Sequence, residues 1–243
     1  MSTLPQAETT HLRVVLAAEA LRFTWPGVKT PCIDIEALRI TAGESVFLHG
    51  PSGCGKSTLL SLLAGVLVAD EGRVTLLGHD WAKLSGTQRD RARVAHVGYI
   101  FQQFNLLPYL SVLDNVLLPC RFSARRLGQA SGSGSARAQA GALLAQMGLA
   151  PELWPRQAMQ LSVGQQQRVA AARALIGHPE VVIADEPTSA LDEERREAFL
   201  DVLLAACRQH GSALVLVSHD RRMAGRFGRQ LLLPEINRAG VPA

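Results

Sequence analysis

The sequence contains few cysteines and no long apolar run, and these absences exclude several classes of protein. Four cysteines lie scattered among 243 residues without forming a Cys-x-x-Cys pair, so neither a zinc site nor a redox pair is indicated. The longest mostly apolar run, 59–68, has ten residues, whereas a membrane span needs about 20. The first ten residues lack the basic and apolar segments of a signal peptide. We therefore expect a chain that does not cross a bilayer and that lies in a reducing cytosol.

The composition is typical of a folded domain. Apolar residues make up 47% of the chain and charged residues 19%, a balance that excludes an intrinsically disordered chain. The length allows one or two domains with a core that needs no disulfide bonds. The net charge of +4 is a weak indication of an anionic partner, and an ordinary surface explains it equally well.

Hydrophobic periodicity predicts an alternation of strands and helices. The last two predicted strands are apolar throughout, which is typical of strands buried on both faces of a parallel sheet. Helix and strand alternate after residue 161, which predicts an α/β fold. Strands are expected at 12–23, 32–40, 46–49, 74–77, 97–101, 181–184 and 213–218, and helices at 56–68, 136–147, 163–176 and 192–207.

The composition changes between residues 121 and 141. Arg121, Arg125 and Arg126 are expected to form a solvated charged face. Residues 128–135, Gly-Gln-Ala-Ser-Gly-Ser-Gly-Ser, have the composition of a flexible linker.

A glycine-rich loop joins the third predicted strand to the first predicted helix. It matches the phosphate-binding pattern G-x-x-x-x-G-K-[ST], which kinases, GTPases and ATPases share. Its backbone N–H groups and the positive end of the helix dipole suit phosphate oxygens. Lys56 is expected to reach the β- and γ-phosphates of a nucleotide, and Ser57 to offer its hydroxyl to Mg²⁺. The candidate nucleotide-binding residues are Gly50, Pro51, Ser52, Gly53, Cys54, Gly55, Lys56, Ser57 and Thr58.

Two adjacent carboxylates, Asp185 and Glu186, follow the strand predicted at 181–184. Adjacent residues of a strand point to opposite sides, so the two acids can serve different purposes. Asp185 is expected to hold Mg²⁺, directly or through water, and Glu186 to act as general base on an attacking water. In isolation, such a pair would be equally ordinary as a solvated strand end.

A strong helix start lies at residues 161–168. Ser162 is a suitable N-cap, and Gln165 completes a capping box. A well-capped helix is one explanation of this segment. A phosphate site is the other, because Gly164 beside the cap is unfavourable for the helix itself and helix N-termini bind anions.

Further motifs extend the pattern along the chain. Gln102, or its neighbour Gln103, follows the strand at 97–101, residues 189–192 read Ser-Ala-Leu-Asp, and His219 follows the last strand. In this order, the motifs resemble those of the ATP-binding subunits of ABC transporters over nearly the whole chain. The resemblance implies that the chain is an ATPase.

Val163 and Trp25 stand at two positions that have defined residues in that family. Residues 161–165 read L-S-V-G-Q, where the family has L-S-G-G-Q. We expect Val163 to be tolerated if its backbone is ordinary helix, since a branched residue is costly only at positive φ. Trp25 stands where the family has an aromatic residue that stacks on adenine, and Phe23 is the alternative.

The resemblance also implies a fold with definite boundaries. Residues 10–240 are expected to form one ABC ATPase domain, an α/β P-loop NTPase. Its core, 10–103 and 161–240, would combine a RecA-like, mostly parallel sheet with an N-terminal antiparallel β subdomain. An inserted α-helical subdomain would span about 104–160.

The mechanism implied by the resemblance needs two subunits. They would close head to tail around two ATP molecules, each with Mg²⁺. Ser162, Val163, Gly164 and Gln165 of one subunit would meet the ATP held by the other, and Asp192 would cross the interface. The catalytic residues would be Lys56, Glu186 and His219, and the Mg²⁺ ligands Ser57, Gln102 and Asp185.

Residues 104–116 are similar to the subgroup that serves lipoprotein release and macrolide export. The implied partners are a membrane permease and a second copy of the chain, at the cytoplasmic face of the inner or plasma membrane; no nucleic acid is expected. One alternative is a non-transporting ABC ATPase that regulates a cell-envelope or division machine. Another is a soluble ABC ATPase of DNA repair or translation, which the lack of heptads and of a second cassette disfavours.

Cys54 lies within the phosphate loop, near Lys56 and a helix N-terminus. Such a setting favours a reactive thiolate. We therefore expect thiol alkylation to inhibit the protein and nucleotide to protect it.

Overall fold

The computed structural model describes residues 13–132, 134–189 and 192–239, so residues 10–12, 133, 190–191 and 240 of the expected domain lie outside the described residues. The strands are β1 Val14–Phe23, β2 Ile33–Thr41, β3 Ser45–His49, β4 Glu71–Leu76, β5 His79–Asp80, β6 Val97–Ile100, β7 Val181–Asp185, β8 Ala213–Val217 and β9 Arg229–Leu232. The helices are α1 Lys56–Leu63, α2 Gly86–His96, α3 Val112–Phe122, α4 Ala124–Ser131, α5 Ala136–Gln146, α6 Val163–Leu175, α7 Glu193–His210 and α8 Leu233–Ile236. Among these described helices, none combines the length and apolar character needed to cross a membrane.

The strands form two sheets, one antiparallel and one parallel. The antiparallel sheet has the order β2-β1-β4-β5, and the parallel sheet has the order β6-β7-β8-β3-β9. Strands β7 and β8 are buried almost throughout, as their apolar sequences predict, because helices cover both faces. The α/β prediction is confirmed.

The parallel sheet separates two hydrophobic clusters. Val182 and Leu214 face a cluster that includes residues of α6 and α7. Val181 and Val215 face the other cluster, with α1 and the antiparallel sheet. Alternate residues of each strand therefore point to opposite layers, and the carboxyl ends of the strands remain free to carry loops.

The first helix is shorter than predicted and ends at Leu63 instead of Val68. Gly65 has φ +68°, and a Cβ atom there would lie 2.6 Å from the Trp81 ring. The Trp81 indole N–H donates to the Leu63 carbonyl at 3.1 Å, satisfying a carbonyl that the helix end leaves free. Gly65, whose N–H donates to the Leu62 carbonyl at 3.0 Å, therefore ends the helix as a left-handed C-terminal glycine does, and Trp81 packs against it.

The predicted linker at 128–135 is wrong over its first half, because residues 128–131 belong to α4. Ser123 caps this helix through its hydroxyl, which accepts the backbone N–H of Arg126 at 3.2 Å. Ala130 of this helix is fully buried. The cap and the burial outweigh the glycine and serine content of the segment.

The predicted solvated arginine face is also wrong for Arg126, which is only 1% exposed. Its guanidinium donates to four backbone carbonyls at the ends of α2 and α6, and we call this arrangement the Arg126 staple. Arg125 is partly buried and pairs with Glu180 at 2.5 Å. Arg121 is exposed and pairs with Asp114, so the prediction holds for that residue alone. The four carbonyls belong to Val94, Val97, Ala174 and Ile176.

Gln139 of α5 fixes the protonation state of His178, in the loop after α6. The Gln139 carbonyl oxygen accepts the Gly177 N–H at 3.0 Å, so its amide nitrogen faces His178 Nε2 at 2.7 Å. An amide nitrogen only donates, and the imidazole must therefore accept and stay neutral. The ring also lies 3.7 Å, between centroids, from that of His210. Burial is the main cause that lowers the pKa of His178 to about 4.

We expect acid to destabilise the fold through His178. At pH 5 the unfolded histidine binds a proton, whereas the folded one with a pKa of about 4 does not. The free energy of unfolding should therefore fall by about 2 kcal/mol between pH 7.5 and pH 5 from this group. His178→Asn removes the proton-binding group and tolerates the left-handed backbone, φ +51°. Urea unfolding at both pH values measures the difference, and an undiminished pH dependence in this variant would contradict the assignment.

Candidate active site

The predicted motif residues follow the carboxyl ends of neighbouring parallel strands. The glycine-rich loop follows β3, Gln102 follows β6, Asp185 and Glu186 end β7, and His219 follows β8. Ligands of open parallel sheets bind at this edge. The fold therefore brings residues far apart in sequence to one side of the sheet.

The glycine-rich loop leads directly into α1. Gly55 has φ +99°, and a Cβ atom there would lie 2.9 Å from Ile33 Cδ1, so both backbone and space require glycine. In the described chain no side chain caps α1, which leaves the N–H groups of its first turn available to an anion. Lys56 Nζ donates to the carbonyls of Gly50 and Pro51 at 2.9 Å each, which holds the ammonium over the loop.

A cleft of about 410 Å³ opens beside this loop. Trp25 forms one wall and is 43% exposed, while Phe23 is buried and supports the Trp25 ring edge-on at 5.2 Å. The exposed ring, and not the alternative Phe23, is therefore available to a flat ligand. The cleft is lined by Trp25, Val28, Thr30, Cys32, Gly53, Gly55, Lys56, Ser57 and Thr58.

Sequence reasoning missed three residues of the cleft: Val28, Thr30 and Cys32. They lie between β1 and β2, in the segment that begins with Trp25, and this proximity was the available signal. Cys32 is partly exposed, and its Sγ lies 3.7 Å from Thr58 Oγ1. Cys54 is only 4% exposed, so burial removes the basis for expecting it to be the reactive thiol.

The two carboxylates occupy different environments. Burial raises the pKa of Asp185, which lies near Ser57, and the charge of Glu186 adds to this effect. Glu186 Oε2 lies 2.8 Å from His219 Nδ1. Glu186 has φ +46° and donates its N–H to Val217 of β8 at 3.0 Å. Such a backbone conformation is strained and is common at functional sites.

Many predicted residues lie outside the cleft lining, including Gly50, Pro51, Ser52, Cys54, Asp185, Glu186 and His219. Gln102 and Gln103 are exposed after β6. Asp192 caps α7 by accepting the Arg195 N–H at 2.9 Å, and residues 190–191 of the S-A-L-D segment lie outside the described part of the chain.

The segment 162–165 forms the start of α6 and also lies outside the cleft lining. Ser162 and Gln165 complete the predicted capping box, in which Gln165 Oε1 accepts the Ser162 N–H at 3.0 Å. Val163 is the first residue of the helix and is 51% exposed. It lies outside the set of residues with positive φ, which is the condition under which we expect valine to be tolerated. Gly164 follows it within the helix.

Comparison with known proteins gives a consistent answer. The family model described as ABC transporter matches residues 34–189. An uncharacterized ABC transporter ATP-binding protein, YbbA, of Escherichia coli strain K12 is 43% identical over 81% of this chain and 83% of its own. The lipoprotein-releasing system ATP-binding protein LolD of Legionella pneumophila strain Paris is 41% identical over 82% of this chain and 84% of its own.

A solved structure agrees with the sequence relatives. The ATP-binding cassette MJ0796, a dimer bound to ADP and phosphate, superposes with a TM-score of 0.80 at 31% identity, over 94% of this chain and 97% of that one. Its fold confirms the expected P-loop NTPase architecture. The motifs, the fold and the relatives agree that this chain belongs to the ABC transporter family, as one of its ATP-binding and ATP-hydrolysing proteins.

Proposed function

We propose that two copies of this ATPase close head to tail around two ATP molecules and drive a membrane permease of the lipoprotein-releasing type. One observation carries the proposal: the helix start at Ser162 and the cap residue Asp192 lie outside the cleft that the phosphate loop lines. The family resemblance assigns those two positions to the ATP held by the partner, so one chain would supply one half of the nucleotide contacts. A second copy can supply the other half. The dimeric cassette MJ0796 supports this arrangement.

Within one subunit, the two walls of the cleft would contact different parts of the nucleotide. Trp25 offers a π-face for stacking on the base. The free N–H groups at the start of α1 and the Lys56 ammonium receive the phosphates. The exposed side chain of Val163 would lie beside the ATP held by the second subunit. It would not alter the helical backbone of α6, whose N–H groups would contact that ATP.

The donor set beside the phosphates fits Mg²⁺. The Ser57 hydroxyl and the Asp185 carboxylate lie near each other, and both are hard oxygen donors of the kind that Mg²⁺ prefers. Gln102 would add an amide oxygen from the loop after β6. The ion would neutralise charge on the phosphates.

Glu186 is placed to accept a proton from water. His219 is placed to hold the Glu186 carboxylate in position. A carboxylate only accepts hydrogen bonds, so His219 Nδ1 donates to Glu186. The opposite ring nitrogen, Nε2, would contact the γ-phosphate as a donor only in the doubly protonated ring, in which both nitrogens carry a proton. Glu186 acts as general base, and the arrangement contributes chiefly by positioning.

An apolar groove beside Gln102 offers a site for the permease. It has a volume of about 290 Å³ and includes Tyr99, Phe101 and Phe122 in its lining, and Phe122 is 73% exposed. We assign residues 104–160, with α3–α5, as the helical subdomain that forms one wall. The groove would receive an apolar segment of the permease and hold the chain at the cytoplasmic face of the inner membrane.

Purification of the tagged chain from detergent-solubilised membranes tests the partner. Mass spectrometry is expected to identify a permease with few membrane helices and a large outer domain. Phe122→Ser should release the permease, whereas Val14→Ser, which alters an exposed apolar residue outside the groove, should retain it. Recovery of the chain alone from the soluble fraction would contradict the proposal that it binds a permease, and it would favour the alternative of a soluble ABC ATPase.

Thiol alkylation is expected to occur at Cys32 and to inhibit ATP hydrolysis. Cys32 lines the cleft and is partly exposed, whereas the other three cysteines are buried. A maleimide should label one site, ATP should slow the labelling, and Cys32→Ser should remove both labelling and inhibition. Cys54→Ser is the matched control and should remain sensitive. Loss of labelling in the Cys54 variant instead would show that the phosphate loop opens to the reagent.

A further inference from the structure

We propose that Asp220 is a positioning residue for ATP hydrolysis, which holds His219 against Glu186 by tying the turn after β8 to α7. The inference rests on the proposed role of His219. It adds a residue that the motifs did not single out for any role. The connection consists of Asp220, Arg196, Arg222 and Glu193, which we call the Asp220 network.

The Asp220 carboxylate is held by two guanidinium groups. Arg222 binds it with two nitrogens, Nε at 2.9 Å and Nη2 at 2.7 Å. Arg196 of α7 donates to the same carboxylate. The hydrogen bonds and charges of Arg222, together with the charge of Arg196, hold the pKa of Asp220 well below its usual range. Two cations on one carboxylate form a stronger contact than an isolated surface ion pair.

The network ends beside the cap of α7. Arg222 Nη1 donates to Glu193 Oε1 at 2.6 Å, and Glu193 is the residue after Asp192. Asp220 likewise is the residue after His219. The network therefore joins the residues that follow Asp192 and His219. Asp192 is proposed to act at the dimer interface, and His219 at the γ-phosphate.

The backbone carries this constraint to the histidine ring. The His219 side chain is 72% exposed, so burial does not fix its position. Asp220 donates its N–H to Ser218 Oγ at 3.1 Å, and its carboxylate accepts the Arg222 N–H at 3.1 Å. The turn is thus fixed on both sides of Asp220, and Arg196 fixes it to α7. The ring can then keep its 2.8 Å contact with Glu186.

The chain offers a matched control on the same two elements. Asp201 of α7 pairs with Arg226, which lies at the far end of the segment Arg221–Arg226 that begins beside Asp220. This pair also joins α7 to that segment, but it lies seven residues from His219. If hydrolysis needs only a general attachment of α7 to this segment, breaking either pair should lower kcat. If the Asp220 network positions His219, only breaking that network should lower kcat.

Asp220→Asn is expected to lower kcat for ATP about tenfold while leaving the KM for ATP unchanged. Asp201→Asn should keep kcat within twofold of the wild type. Arg196→Gln should resemble Asp220→Asn, Arg196→Lys should restore most of kcat, and Arg196→Gln combined with Asp220→Asn should be no worse than either alone. Urea unfolding of each variant separates positioning from loss of stability.

Three outcomes would overturn the inference. They are a wild-type kcat in Asp220→Asn, an equal loss in Asp201→Asn, and a loss that follows unfolding free energy across the variants. His219→Ala, measured in parallel, distinguishes this failure from failure of the proposed function. An inactive His219 variant beside an active Asp220 variant refutes only the positioning, whereas an active His219 variant refutes both.

Discussion

Replacing Glu186 with glutamine is expected to lower the rate of ATP hydrolysis by roughly 10²–10⁴, because a general base contributes about that factor. Glutamine keeps the size of the side chain and its ability to hydrogen bond to His219, but an amide cannot take a proton from water. ATP binding should persist, since Trp25, Lys56 and Ser57 are unchanged. The ATP-bound dimer should then accumulate, because the hydrolysis that would otherwise let the two subunits separate is blocked.

Steady-state ATPase assays at saturating ATP and Mg²⁺ measure the first effect, and light scattering measures the second. The mass should approach twice the 26.1 kDa of the monomer. Glu36→Gln, at an exposed glutamate of β2, is the matched control and should hydrolyse ATP normally. A Glu186→Gln variant that remains a monomer at saturating ATP would count against the head-to-tail dimer.

Replacing Arg126 with methionine is expected to cost about 3–5 kcal/mol of unfolding free energy. Methionine keeps much of the apolar stem but leaves the four carbonyls of the Arg126 staple without their donor, and each buried unsatisfied group costs about 1–3 kcal/mol. Relaxation and water entry recover part of the sum. Burial lowers the pKa of Arg126 to about 10, so the native guanidinium is still charged at neutral pH.

Urea unfolding at pH 7.5 measures this loss. Arg121→Met, at an exposed arginine five residues earlier, is the control and should stay within about 0.5 kcal/mol of the wild type. Arg126→Lys keeps the charge but reaches fewer carbonyls, and its loss should be intermediate. A value for Arg126→Met within 1 kcal/mol of the wild type would show that the carbonyls find other partners.

The sequence could predict those features whose causes are local. The glycine-rich loop, the acidic end of β7 and the capping box at Ser162 depend on residues within a few positions of each other. The buried strands β7 and β8 show their environment directly in their apolar runs. These features are sufficient to predict the α/β fold, and they include most of the proposed nucleotide contacts.

Features with distant causes could not be predicted in the same way. Arg125 and Arg126 are identical neighbours in sequence, and only carbonyls 29 to 50 residues away bury one of them. Helix α2 has no fully buried residue, so hydrophobic periodicity gives no signal there. Its capping box of Ser85 and Gln88 was the remaining clue.

The candidate site shows the same limit. Cys54 and Cys32 differ in exposure because the Cys54 side chain packs against Gly50, where an added Cβ atom would lie 2.8 Å from its sulfur. The composition of the loop does not reveal this packing. The cleft wall formed by Val28 and Thr30 likewise depends on how the segment between β1 and β2 folds over the loop.

The Arg126 staple has a mechanical consequence for α6. It grips the carbonyls of Ala174 and Ile176 at the last turn of the helix, while Ser162 stands at the opposite end, about 20 Å away for a helix of 13 residues. Because α6 is held at its C-terminal end, a small rotation there moves its N-terminal end through a larger distance. A tilt of about 6° around the clamp carries Ser162 through about 2 Å, roughly the difference between touching a phosphate oxygen and missing it.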